Sequence, residues 1–150
     1  MITIRQYFTN PTTGHVKEHS PVELEHAEDL LARVNALVDQ AEAAGAFTRH
    51  NNPNTKTEIS GSKGGAGDGG FRAKDSTTGA PGSSHRQARA VDVADIGDML
   101  DEWLDSFEHA DGANEKLAEH DLYREDAFFT PGWTHLTTRA PGSGRRTFKP

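Results

Sequence analysis

The chain has 150 residues, a formal net charge of −7 and no cysteine. That length suits one domain, taken as residues 1–150, because domains run roughly 100–200 residues. Without cysteine there is no disulfide framework, no thiolate nucleophile and no cysteine-built zinc site, so any metal must be held by Asp, Glu or the eight His.

With 23 acidic residues scattered among 16 basic ones, duplex nucleic acid is not an expected partner. Affinity for DNA rests on Lys and Arg neutralising phosphates. A hydrophobic share of 33% and a mean hydropathy of −0.74 predict a thin core with long loops. No run approaches the about 20 apolar residues of a membrane helix. The start, Met1 to Phe8, lacks a basic segment followed by an apolar one, so no signal peptide is expected.

Residues 2–8 alternate loosely and contain Ile2, Ile4, Tyr7 and Phe8, which predicts a short strand. The strongest helix pattern follows. Ser20 can cap, Pro21 suits the first turn and Glu23 completes a capping box. Leu24, Ala27, Leu30, Leu31, Val34, Leu37, Val38 and Ala41 recur at helical spacing, and Gly45 closes the element. Glu58 to Ser60 reads as a short strand. Residues 61–84 hold eight of the fifteen glycines, without a phosphate-binding pattern. A flexible linker and a functional loop on a rigid scaffold both fit that composition.

Ala88 to Val93 reads as a strand. A second helix is predicted after Asp95, with Ile96, Met99, Leu100, Trp103, Leu104 and Phe107 on one face, ending at Asp111-Gly112. A third, short helix is expected over Asn114 to Leu122, and a buried strand over Gly132 to Leu136. The tail from Ala140 reads as extended and basic. Strands interleaved with helices give an α+β domain.

Six histidines (His15, His19, His26, His50, His109, His120) sit in polar or helix-surface contexts without an acid at ligand spacing. His85 differs. It ends the Gly-rich segment, and Asp92 follows seven positions later inside an apolar strand, where a carboxylate is costly unless paired or metal-bound. His135 interrupts a second apolar strand. Two imidazoles and a carboxylate make a three-ligand set that leaves a position open for water, as catalytic zinc requires. The same residues also suit a satisfied core histidine and an Asp in a turn.

Ser84-x-His85-x(6)-Asp92 followed by Trp133-x-His135 resembles the zinc-binding pattern of the M15 peptidases. These are D-alanyl-D-alanine carboxypeptidases and L-alanyl-D-glutamate endopeptidases, many of them phage lysins. The resemblance extends to Gly69-Gly-Phe-Arg72 ahead of the Ser-x-His motif, to Ala90-Val-Asp-Val93, to the leading helix over Glu23 to Leu37, and to the ending Thr130 to Phe148. It implies a hedgehog/D-Ala-D-Ala peptidase-like fold, a small antiparallel sheet flanked by helices, with residues 61–84 as an active-site loop.

It further implies that His85, Asp92 and His135 bind one Zn²⁺, which acidifies a water and polarises the scissile carbonyl. Arg72 would hold a carboxylate of the wall peptide, although a surface salt bridge also suits it. Ser84 would support substrate or loop. Trp133 is counted with the substrate-binding set, although packing beside the ligand suits it better than a substrate platform.

Two departures stand out. The acid that many M15 enzymes carry three positions before the last His is Gly132 here, and the Asp that some carry two positions after it is Thr137. The family's Gly three positions after the first His is also absent, Ala88 standing there. Glu125 and Asp126 are the nearest upstream acids. Glu125 is assigned as general base, with an ordinary solvated Glu as the alternative.

The expected function is a zinc-dependent peptidoglycan peptidase, phage or prophage encoded, acting on an amide of the stem peptide. It would stay in the host cytoplasm until holin-mediated release, or be virion-associated with other virion proteins as partners. The competing expectation is a virion structural or wall-binding module that keeps the metal site without turnover.

Overall fold

Ser20 and Glu23 exchange the hydrogen bonds of a capping box, Ser20 N–H to Glu23 Oε1 at 2.8 Å and Glu23 N–H to Ser20 Oγ at 3.1 Å. They open the longest helix of the computed structural model, which describes residues 1–60, 69–74, 76 and 82–150. This helix, α2 (Pro21–Ala43), buries Ala27, Leu30, Leu31, Val34, Leu37, Val38 and Ala41, the face that the spacing predicts. Each buried Leu or Val contributes about 1.5–3 kcal/mol. The helix therefore forms one wall of the core, against Ile2, Phe8, Phe71, Val91, Leu104 and Leu136.

The expected N-terminal strand is instead a helix, α1 (Ile4–Phe8). Thr3 and Gln6 form a second capping box, with the Gln6 N–H donating to Thr3 Oγ1 and the Thr3 N–H to Gln6 Oε1. Ile2 needs no sheet neighbour, because the Asn35 side chain pairs with both its N–H and its carbonyl at 3.0 and 2.9 Å. Tertiary bonds to α2 thus replace the ladder that a strand would have required.

Four strands form one sheet in the order β1 (Ala90–Ala94), β3 (Trp133–Thr137), β2 (Tyr123–Glu125), β4 (Thr147–Phe148). The α+β class holds. The sheet is mixed rather than antiparallel, however, because β4 runs parallel to β2. The chain leaves β3 through a Pro-Gly segment long enough to pass over β2 and run back, antiparallel to β3, along the far side of β2. Along the outer edge of β1, Ser60 and Gly69 bond Asp92 and Ile59 bridges to Val93. A Cβ at Gly69 would lie 1.4 Å from the Ser60 carbonyl oxygen, so only glycine fits that approach.

The second helix, α3 (Met99–Asp105), is shorter than its apolar spacing suggests. Gly97 and Asp98 have φ of 95° and 57°, which keeps the preceding turn outside the helix. Ile96 and Met99 are consequently exposed, at 52% and 43%. The third helix, α4 (Glu115–Glu119), is capped by Asn114, whose Oδ1 accepts the Leu117 N–H at 3.1 Å. Among the described residues no helix is long and apolar enough to cross a membrane.

Candidate metal centre

Two apolar strands carry the polar residues of the site, and their register sets those residues side by side. Asp92 on β1 lies opposite His135 on β3. Tyr123 and Arg124 on β2 lie opposite Thr137 and Leu136, so the next step of that register brings Glu125 across from His135. Phe148 pairs with Glu125 from β4. Directly opposed residues share a face of a sheet. Asp92, His135, Glu125 and Phe148 therefore form one row across four strands, while Val91, Arg124 and Leu136 take the other face.

His85 arrives from outside the sheet, on a 3₁₀ turn over Ser84–Gln87. Ser83 Oγ accepts the His85 N–H, and Ala88, with φ of 56°, ends the turn and directs the chain into β1. The Nδ1 of His85 lies 2.9 Å from the Gly70 carbonyl oxygen. A carbonyl only accepts, so Nδ1 carries the proton and Nε2 of the neutral ring presents a lone pair. Such an outer hydrogen bond is what fixes a ligating imidazole.

The three inward atoms converge. His85 Nε2 lies 3.3 Å from His135 Nδ1 and 3.3 Å from Asp92 Oδ1, and His135 Nδ1 lies 2.7 Å from Asp92 Oδ1. Bonds of about 2.0–2.1 Å to a tetrahedral zinc put neighbouring ligand atoms about 3.3 Å apart. Two of the three separations match that edge. The third is a hydrogen bond from His135 to Asp92 that a small outward movement would open. The donor set, two imidazoles and one carboxylate, suits a borderline metal such as zinc.

Electrostatics agree with that use. Burial pushes His85 below its usual pKa against the pull of Asp92, so the ring stays neutral. Burial opposes the charge of Asp92, but the flanking His85 and His135 outweigh it and hold the carboxyl well below the usual range. A neutral imidazole and an ionised carboxylate are the states that bind metal. Burial pushes Glu125 up, with His135 and Arg72 pulling the other way and Asp92 adding to the rise. Glu125 is half-buried, in the row beside His135.

The remaining expected residues divide. Arg72 is buried, at 7% exposure, and its N–H donates to the His85 carbonyl at 3.2 Å. Its charge is felt by both His85 and Glu125. It also lines an open cleft of about 1390 Å³ together with Lys17, His19, Glu23, Phe71 and Lys74. Ser84 contributes its carbonyl, which accepts the Arg89 N–H at 2.9 Å, and so supports the turn. Trp133 is half-buried and two residues before His135, on the same face of β3. Much of the Gly-rich segment, residues 61–68, 75 and 77–81, lies outside the described residues.

Two features of the site have no motif in the sequence. One is the Gly70 carbonyl. The other is Phe148, whose ring stands edge-on to His135 at 6.2 Å. Of the other histidines, His26 bonds the Gln87 carbonyl and His50 accepts the Ile96 N–H, both in supporting roles.

No protein-family model matches the chain, and no curated protein or solved structure matches it either.

Proposed function

We propose that this protein is a zinc-dependent peptidoglycan peptidase of M15 type, phage or prophage encoded, that hydrolyses an amide of the wall stem peptide. The observation that carries this reading is the convergence of His85, Asp92 and His135 at near-tetrahedral spacing, with Glu125 next in the same cross-strand row. The M15-like motif order and the cysteine-free donor set support it.

Zinc, when bound by these three residues, supplies Lewis acidity toward the scissile carbonyl and lowers the pKa of water to about 7. Glu125 takes a proton from the attacking water as its oxygen adds to the carbonyl carbon. It returns that proton to the leaving nitrogen as the C–N bond breaks, and the water's second proton passes from the new carboxyl group to the amine, so the products are a carboxylate and an ammonium group. A carboxyl raised by burial is suited to this exchange near neutral pH, and general acid–base help is worth roughly 10²–10⁴-fold. Arg72 binds a substrate carboxylate through its planar fork. The cleft beside Arg72 gives an extended peptide room to lie.

A second reading, a virion or wall-binding protein that holds metal without turnover, is favoured by one feature. Position 132, where an acid would stand in many M15 enzymes, is a glycine with φ of 89°. A side chain there would be strained, so the backbone as well as the residue type excludes a base at that point. In this reading Glu125 is a half-buried spectator.

Turnover separates the two. Purified protein with Zn²⁺ is incubated with defined muropeptides, and the products are weighed by mass spectrometry. Release of D-Ala or of split stems by the wild type, lost in His135→Ala, supports the peptidase. Stoichiometric zinc with intact muropeptides would overturn it.

A further inference from the structure

A second group of potential ligands lies at the far end of the same two strands. Ligand oxygens of Asp95, Asp98 and Asp101 all lie within 4.8 Å of one another. Asp95 and Asp101 are buried, at 0% and 1% exposure, and Asp98 is half-buried. Much of their hydrogen bonding has an ordinary structural explanation. Asp95 accepts the N–H groups of Leu100 and Asp101, each at 3.0 Å, and the Thr134 hydroxyl at 3.0 Å. Asp98 Oδ1 accepts the Gly132 N–H at 2.8 Å. Asp101 Oδ1 accepts from Arg124 at 2.9 Å.

Charge and one oxygen remain unexplained. Asp101 Oδ2 is buried and has no hydrogen-bond partner among the described residues. Among the described residues, Asp95 and Asp98 meet only neutral donors there and make no ion pair with Lys or Arg. The Arg124 guanidinium, which meets Asp101, also serves Asp105 and Glu108. Buried carboxylates are normally paired or coordinated to a metal.

We propose that Asp95, Asp98 and Asp101 form a binding site for a hard divalent cation, distinct from the His85–Asp92–His135 centre. An all-oxygen donor set selects Ca²⁺ or Mg²⁺ over zinc. The cation has a definite mechanical position. Asp95 immediately follows β1 and holds the start of β3, through its N–H to the Gly132 carbonyl and its carboxylate to Thr134. β1 carries Asp92 and β3 carries His135, so the ion braces the two strands that hold the other metal's ligands.

Calcium is the probe. Metal-stripped protein reloaded with one zinc is titrated with CaCl₂ up to about 10 mM, above the roughly 10⁻⁴–10⁻³ M range of weak oxygen sites. Unfolding temperature and calorimetric heat are both read. The expected result is saturable binding of one Ca²⁺ and a rise in unfolding temperature of about 3–6 °C. Asp98→Asn, which keeps an acceptor for the Gly132 N–H, abolishes both responses while zinc content stays the same. His135→Ala retains the Ca²⁺ response, which separates this site from the proposed peptidase centre. Absence of heat and of any temperature shift in the wild type overturns the proposal, as does an undiminished response in Asp98→Asn.

Discussion

Two buried polar regions lie on the same pair of strands, and they balance charge in opposite ways. Around Asp92, two histidines and a backbone carbonyl account for the inward-facing groups, and one carboxylate faces two imidazoles. Around Asp101, among the described residues, three acids share the guanidinium of Arg124. The first arrangement lowers the pKa of its carboxylate, and the second raises it. Burial penalises charge in both places. What differs is whether partners that favour the ionised form are close enough to outweigh it.

Substitutions can break this contrast from either side. Replacing His135 with Ala removes a ligand from the first region, and bound zinc, measured by elemental analysis, should fall from one per chain to a trace with loss of turnover. Glu125→Gln should retain the zinc and lower kcat by about 10²–10⁴-fold. In the wild type, activity should rise with pH through a carboxyl pKa above the ordinary Glu value, because Glu125 must be ionised to accept the proton. A turnover equal to wild type in Glu125→Gln would remove it from the mechanism.

In the second region, Arg124→Met should cost about 3–5 kcal/mol in a denaturant titration, since it leaves Asp101 buried without its cation. Gly69→Ala should cost about 1–3 kcal/mol or more, because its Cβ collides with the Ser60 backbone at the edge of β1.

The smallest effect is a slope. Asp101 binds its proton more tightly folded, at about 7, than unfolded, at the ordinary value of 3.8. Between those values the native state holds more protons from this group, so its contribution to stability is full at low pH and is lost as pH rises toward 7. Asp101→Asn should remove that component, and the difference between the two stability curves should be confined to this window. His85, whose folded pKa is lowered, contributes in the opposite direction. The comparison with Asp101→Asn is therefore the readout rather than the raw wild-type curve.

Much of this was legible in local pattern. The heptad-like spacing from Leu24 to Ala41 and the Ser20–Glu23 box define α2 nearly to the residue. His85, Asp92 and His135 stand out because each interrupts small or apolar surroundings, and the structure brings all three together. Short elements were harder. Thr3-x-x-Gln6 is a capping box, and it prevails over the loose alternation of Ile2, Ile4, Tyr7 and Phe8 that suggests a strand. β2 has only three residues, two of them charged, and no alternation to read. Arg124 within it is the largest fully buried side chain among the described residues, which composition alone argues against.

Sequence by itself determined the long helix, the α+β class and the identity of the three convergent residues His85, Asp92 and His135, because caps, periodicity and misplaced polar residues act over a few positions of chain. Only the tertiary structure decided which acid stands beside His135, that β4 returns parallel to β2, and that Gly70 orients His85. Those outcomes depend on strand register and on backbone groups of distant segments. A backbone carbonyl is the same in every residue, and pairing between positions 92, 125 and 135 leaves no trace in local spacing.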